Sequence, residues 1–470
     1  MSATTETNPP ITAGSKLRHG ALNLMETFGQ SIAVIAPTLT PALNITVVAA
    51  TAGIACWLSY FVGTLGVMIV AASVGILAAR HPQAGSFFVY IGRSFGPYTG
   101  ALAGWSMISA YIMTAIAVAQ GFPIFLGNLL TAVGITKPIV PLWVFALAFL
   151  GMICYAAYRD IKFSSRAGLV LECISVGIII VITAMVIGVH GTVIDPKQLA
   201  FSKFNYSSVF AGLPFVIFSF VGFESSATLA KEAGKPEKSI PLAVVSCAAF
   251  AGVFFTGIAY FMVFGDGDNT TAMGNSSSPF TDVAGAAGLG WTAAIVYFAA
   301  MISVVACALA CINAASRLLY SMGKYRFLHR SMGFVHETHR TPHRAICVCG
   351  ALVALVCTSM APLGFLNAFG YAGTLASFGF VVVYLALCVA APIDLRKSGD
   401  LRGRHVLLGI LGALLMSFVI FGSVYPEPEY PFNVLPYVFL AYLLVGAVWF
   451  GVLKLKSPQT LVSIQHDMES

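Results

Sequence analysis

Ile35-Ala36-Pro37-Thr38-Leu39-Thr40-Pro41 places two prolines in the middle of an apolar run. Each proline removes a backbone donor and steers the residue before it away from helical geometry, so a helix is expected to break here. The run around it extends from Thr27 to Ala79, 53 residues without Asp, Glu, Lys or Arg. One bilayer crossing takes about 20 apolar residues, so this run is long enough for two. A second stretch, Phe218-Ser219-Phe220-Val221-Gly222-Phe223-Glu224-Ser225-Ser226, sets a glycine, an acid and three hydroxyls at depth in another apolar segment and is a second candidate break. Either break alone reads as a simple kink. Lipid satisfies no backbone polar group, so broken helix at depth survives only where it lines a cavity. Interrupted spans at positions one and six are the pattern of an inverted repeat framing a midplane solute site.

Composition carries the same class across the whole chain. Of 470 residues, 58% are apolar and 9% charged, against roughly 45–50% and about 25% in soluble domains. The apolar stretches are continuous and do not alternate, which points to a bundle of helices and away from a closed barrel. Charged and Pro/Gly-rich breaks divide the chain into twelve expected spans near 28–47, 52–79, 96–126, 140–157, 167–189, 208–230, 240–265, 289–322, 344–360, 365–391, 405–424 and 433–454. An all-α integral membrane protein follows, with nucleic-acid binding and a large soluble domain excluded.

Twelve spans put both tails on one side. Of the 25 Lys and Arg residues, 22 fall on the tails and even-numbered loops, and only Lys137, Lys197 and Lys203 lie opposite. Positive charge is retained in the cytoplasm, so both termini are expected there, in a plasma (inner) membrane. The net charge of +7 is thus topological. The ten cysteines all sit in apolar stretches, and the Cys307/Cys311 and Cys347/Cys349 pairs lack the companion ligands of a zinc site. No metal or cofactor is expected, and no signal-peptide pattern precedes the first span. The Asn269 and Asn275 sequons lie on the outer face.

Several motifs resemble the amino acid/polyamine/organocation transporter superfamily, which has a LeuT-like fold. Arg80-His81-Pro82-Gln83-Ala84-Gly85-Ser86-Phe87-Phe88-Val89-Tyr90 with Phe95-Gly96-Pro97 and Gly104-Trp105 looks like that family's first cytoplasmic loop and third-helix entry. Phe220 to Glu224, continuing to Lys231-Glu232-Ala233 and Pro236, resembles its sixth helix; Ala314 to Met322 and Arg340-Thr341-Pro342 resemble its eighth helix and the loop beyond. The resemblance implies a 5+5 inverted repeat over residues 27–391, two appended helices over 392–454, and cytoplasmic tails at 1–26 and 455–470. It also implies alternating access around a central substrate site. By position, that site falls on Ala36, Pro37 and Thr38 in the first span and on Phe220, Val221, Gly222 and Phe223 in the sixth. Amino-acid-transporting members usually carry a Gly-rich segment where Ala36-Pro37-Thr38 stands, and Pro37 removes one amide donor.

Acids within spans are costly, which makes each a functional candidate. Glu224 is placed either to hold a substrate amine or a proton, or to accept bonds from freed amides of the broken helix. Glu172, six residues beyond Arg166, is either a gate or coupling group or the partner of a cytoplasmic-side Lys or Arg. Some proton-coupled relatives carry a fifth-helix lysine where this chain has Ser175. Tyr111 and Gln120 either face the cavity or make helix contacts. Sodium coupling calls for two eighth-helix hydroxyls, and between Phe298 and Ala315 only Ser303 occurs. His329, His336, His339 and His343 read as a solvated basic loop. The expected function is a permease importing an amino acid or related small amine, with the proton as coupling ion, membrane lipid as its surroundings and no obligate protein partner. A sodium-independent exchanger or facilitator of another small polar solute is the alternative.

Overall fold

The structure is a computed structural model that describes residues 17–82, 86–135, 139–274, 276 and 278–456. Lys16, Gln83 to Gly85, Lys137, Asn275 and the tail beyond Lys456 lie outside the described residues. Those described are helical, with no strand and one isolated parallel bridge between Leu22 and Ala233. Eleven helical stretches are long and apolar enough to cross a membrane.

Helix α1 (Leu24–Ile35) starts at a reciprocal cap: Glu26 N–H donates to Asn23 Oδ1 at 3.0 Å, and Asn23 N–H to the Glu26 carboxylate at 2.8 Å. Helical geometry stops after Ile35, where Ala36 takes φ 50°, and resumes in α2 (Leu39–Ala52). A 3-10 turn at Gly53–Ala55 joins α2 to α3 (Cys56–Arg80) without a gap, so Leu39–Arg80 counts as one 42-residue apolar stretch. Gly53 has φ 64°, and Cys56 Sγ lies 3.9 Å from the Ile45 carbonyl. Eleven residues of straight helix would hold those groups about 16 Å apart, so the chain turns back at Gly53.

Beyond α3, a short helix α4 (Ser86–Phe95) precedes α5 (Pro97–Ala132); Gly96, at φ 99°, separates them. The third span therefore runs six residues past its expected end. Then come α6 (Leu142–Arg159) and α7 (Ile161–His190), whose first turn is capped by Asp160 accepting from Lys162 N–H at 2.8 Å. The expected span at 208–230 is divided among α8 (Tyr206–Ala211), α9 (Leu213–Phe220) and a 3-10 segment, Ser225–Glu232. Helix α10 (Pro236–Gly265) follows, then the short α11 (Thr270–Gly274) and α12 (Pro279–Ala286), and α13 (Ala293–Lys324). The C-terminal part is α14 (His343–Met360), α15 (Phe365–Lys397), α16 (Gly403–Gly422) and α17 (Leu435–Lys456).

Burial sorts these helices into centre and edge. In α5, 83% of an apolar 18-residue window is covered by protein, against 17% for the last stretch, Phe432–Leu455. Helix α5 packs against α13 and α15, α3 against α10, and α1 against α7 and α13. Apolar residues on α16 and α17 such as Leu414 and Val448 stay exposed, the surface a lipid-facing helix presents. The Arg80-His81 motif anchors the loop after α3. Arg80 donates to Asp394 at 2.9 Å and Asp400 at 2.8 Å, and His81 Nε2 is 2.8 Å from Asp394.

Candidate functional site

The two non-helical segments meet in the centre of the bundle. At the first, Pro37 has no amide, and the Ile35 carbonyl is taken by Thr40 Oγ1 at 3.0 Å. The Val34 carbonyl accepts from Cys307 Sγ at 3.3 Å. At the second, Gly222 has φ 93° and donates its N–H to Tyr384 Oη at 3.2 Å. A Cβ on Gly222 would fall 2.0 Å from Val34 Cγ1, so glycine permits the close approach of the two segments.

Glu224 follows at once and is completely buried. Its Oε1 accepts from Tyr111 Oη on α5 at 2.7 Å, and its Oε2 accepts from Tyr384 Oη on α15. Two phenols from separate helices thus clasp one carboxyl, compensating in part the loss of water. No Lys or Arg forms an ion pair with it among the described residues. The Tyr111 ring is held edge-on against Phe380 at 5.1 Å, and Phe223 packs on Tyr384 at 5.3 Å.

Glu172 is another buried carboxylate, 1% exposed, and like Glu224 it has no ion-pair partner among the described residues. Ser303 Oγ on α13 donates to it at 2.9 Å, and Ser175 Oγ lies 3.2 Å from its Oε2. Thr38 Oγ1, at the first break, donates to Ser175 at 3.0 Å. The result is a row of hydroxyls from the broken first span to an uncompensated acid. Among the described residues no Lys or Arg pairs with Glu172, and serine hydroxyls supply its bonds.

Where the two breaks approach each other, Val34, Ala36, Asn44, Thr114, Phe218 and Val221 help line a cavity of about 40 Å³. That leaves room for a few waters, each needing about 10–15 Å³ on this measure, and none for an amino acid. Toward the end where α1 begins, buried polar bonds tie the elements together. Arg317 and Glu232, both fully buried, form a two-pronged pair at 2.6 and 3.2 Å. Leu22 N–H donates to the Glu232 carbonyl and Gly234 N–H to the Leu22 carbonyl, each at 2.9 Å. Gln30 Nε2 reaches the Ala310 carbonyl at 2.8 Å.

Sequence comparison decides the family. The family model described as amino acid permease matches residues 30–426. This chain belongs to the amino acid permease family. It is 24% identical to the branched-chain amino acid permease BcaP of Bacillus subtilis (strain 168), over 79% of this chain and 81% of that one. It is 26% identical to the low-affinity putrescine importer PlaP of Escherichia coli (strain K12), over 63% and 66% of the two chains. A third relative, the glutamate/serine transporter AimA of Bacillus subtilis (strain 168), is 24% identical over 80% and 72%. Membership in a family of transporters, with eleven apolar helices, makes this a multi-pass membrane protein.

Of the residues picked out from sequence, Ala36 and Val221 line the cavity, Thr38 and Ser175 join the Glu172 row, and Gly222, Phe223 and Tyr111 surround Glu224. Pro37 is buried at the break. Phe220 turns away to stack edge-on with Phe255 of α10 at 5.5 Å. Gln120 donates to the Cys357 carbonyl at 3.3 Å, a contact between α5 and α14. Tyr384 was missed, although a phenol four residues after Phe380 at depth is a polar group in need of a partner. Ser303 was weighed only as half of a sodium site; its bond to Glu172, 131 residues away, leaves no local trace.

Proposed function

We propose that this chain is a secondary active transporter that imports an amino acid or related small amine across the plasma membrane by alternating access, with proton coupling. The observation that carries the reading is the uncompensated Glu224 carboxyl, clasped by Tyr111 and Tyr384 beside the interrupted sixth span. A carboxyl held this way suits a substrate amine or a proton, and its bonds bridge three separate elements whose relative movement would expose it. Glu172, tied through Ser175 to Thr38, is the second group proposed for coupling or gating. Ala36, Pro37, Thr38, Val221, Gly222 and Phe223 form the proposed surroundings of the substrate, with Phe220 packed behind them on Phe255. The relatives' substrates, branched-chain amino acids, putrescine and glutamate or serine, keep the class to amino acids and amines.

Twelve crossings belong to the same proposal, with Leu39–Arg80 divided at Gly53 between the first and second spans and α1 forming the first half of span one. Residues 27–391 then hold a 5+5 repeat with spans one and six discontinuous, 392–454 hold two further helices, and both termini face the cytoplasm. The one-sided Lys and Arg distribution supports that orientation. The seal formed by Arg317, Glu232, Leu22 and Gln30 would close the inner end.

Uptake into proteoliposomes from a mixture of amino acids and polyamines, read by mass spectrometry with and without an inward proton gradient, tests the reading. Gradient-dependent accumulation of one solute upholds it. Equilibration without accumulation favours the second reading, a sodium-independent exchanger or facilitator of another small polar solute, to which the missing Pro37 amide already points.

A further inference from the structure

A second cavity, of about 530 Å³, lies at the end of the bundle where α1, α7 and α10 all begin. Its volume is in the range of small-ligand sites, about 300–1,000 Å³. One wall is the backbone from Gly20 to Leu24, and the others carry Lys162, Lys235 and Lys238. The single carboxylate of the lining, Glu26, is already held by Arg166 at 2.5 Å and by the Asn23 N–H at 2.8 Å. None of the three lysines forms an ion pair among the described residues. The cavity thus gathers three lysines without an ion-pair partner among the described residues.

Its apolar side decides the kind of ligand. Leu24 and Leu242 belong to the lining and are 37% and 54% exposed, and Phe163, the neighbour of Lys162, is 62% exposed. A free inorganic anion gains nothing from such residues, whereas an amphiphile with an anionic head satisfies both sides at once. Lysines at a helix end hold their ammonium groups at headgroup level while their stems lie along apolar surface. We propose that this cavity binds the headgroup phosphate of an anionic membrane lipid, with the acyl chains leaving along Leu24, Leu242 and Phe163. The site is distinct from the central cavity, and its occupant would touch the base of α1 together with that of α10.

The test is binding to the purified full-length chain in non-ionic detergent, without any transport substrate, so its outcome is independent of the transport reading. The thermal unfolding midpoint is followed against dioctanoyl phosphatidylglycerol, dioctanoyl phosphatidylcholine and inorganic phosphate. Phosphatidylglycerol is expected to raise the midpoint while the other two do not. The Lys162→Gln/Lys235→Gln/Lys238→Gln variant should need about 100-fold more phosphatidylglycerol for the same rise, given the electrostatic contribution of each lysine near an anionic headgroup. A charge-matched control, Arg396→Gln/Arg402→Gln/Arg404→Gln, should respond as the wild type does. Should the triple lysine variant fail to fold, Lys238→Gln alone should shift the half-maximal concentration about 5-fold. Equal response to phosphatidylcholine, the same rise with phosphate alone, or an unchanged response in the lysine variants would each overturn the proposal, as would loss of response in the arginine control.

Discussion

Gly222 in the break of the sixth span sits against Val34 in the last turn of α1, at a spacing that leaves no room for a Cβ. The contact joins the turn that holds Glu224 to the end of α1, so movement of either is felt by the other. It also makes Gly222 a sharp probe. Gly222→Val would place a carbon 2.0 Å from Val34 Cγ1 on a backbone at φ 93°, a conformation that β-branched residues rarely adopt. Uptake is expected to be lost while the protein still inserts and purifies as a single species. Wild-type uptake by that correctly inserted variant would remove the contact from the transport cycle.

Glu224→Gln keeps the shape of the side chain, can accept from one tyrosine and donate its amide to the other, and removes the ionisable group. The variant should fold normally, and uptake should lose its dependence on pH between pH 5 and 8. Retention of the wild-type pH profile would exclude Glu224 from coupling. Tyr384→Phe removes one donor to the same carboxyl and should reduce uptake less than Glu224→Gln does, with a loss of about 1.5–3 kcal/mol if that bond is to the charged form.

The Arg317–Glu232 pair is predicted to matter for stability. Both side chains are fully buried, so Glu232→Gln leaves a guanidinium without its counter-charge, at a cost of about 3–5 kcal/mol. Removing both charges in Glu232→Gln/Arg317→Met should recover much of that. Thermal unfolding of the two variants in detergent decides the matter: equal midpoints would mean that the buried charge is compensated by Asn313, whose carbonyl accepts from Arg317 at 3.2 Å.

Ser303→Ala takes from Glu172 its closest donor, at 2.9 Å. If Glu172 is a coupling group, the pH profile of uptake should shift while the amount of folded protein stays near wild type. A lower unfolding midpoint with an unchanged pH profile would assign the Glu172 row to packing alone.

Ala36 holds φ 50° without being glycine. The left-handed conformation costs a residue with a Cβ roughly 1–2 kcal/mol. Ala36→Gly should therefore be tolerated in the native backbone, although the greater freedom of the unfolded chain offsets part of the relief. Unfolding midpoints of wild type and variant, compared in the same detergent, measure the balance; a fall of several degrees would show that the Ala36 methyl packs usefully in the break.

The sequence by itself determined the helical membrane class, because uncharged runs such as Thr27 to Ala79 leave the backbone no solvent but itself. It also pointed to the neighbourhoods of Pro37 and Gly222, where a missing amide and a missing side chain act on the adjoining backbone. The length of that run called for a division between residues 47 and 52, and the turn at Gly53 falls within a few residues of it; its position inside the apolar stretch Leu39–Arg80 came only with the structure. Only the tertiary structure decided what each buried polar group touches. Tyr384 and Glu224 are 160 residues apart, as Glu172 and Ser303 are 131 apart. Hydropathy and helical period fix which face of a helix turns inward, but they carry no record of which helix it meets there. That choice follows from packing of the whole bundle, and with it the meeting of Glu224 and Glu172 with hydroxyls while Glu232 and Glu26 meet cations.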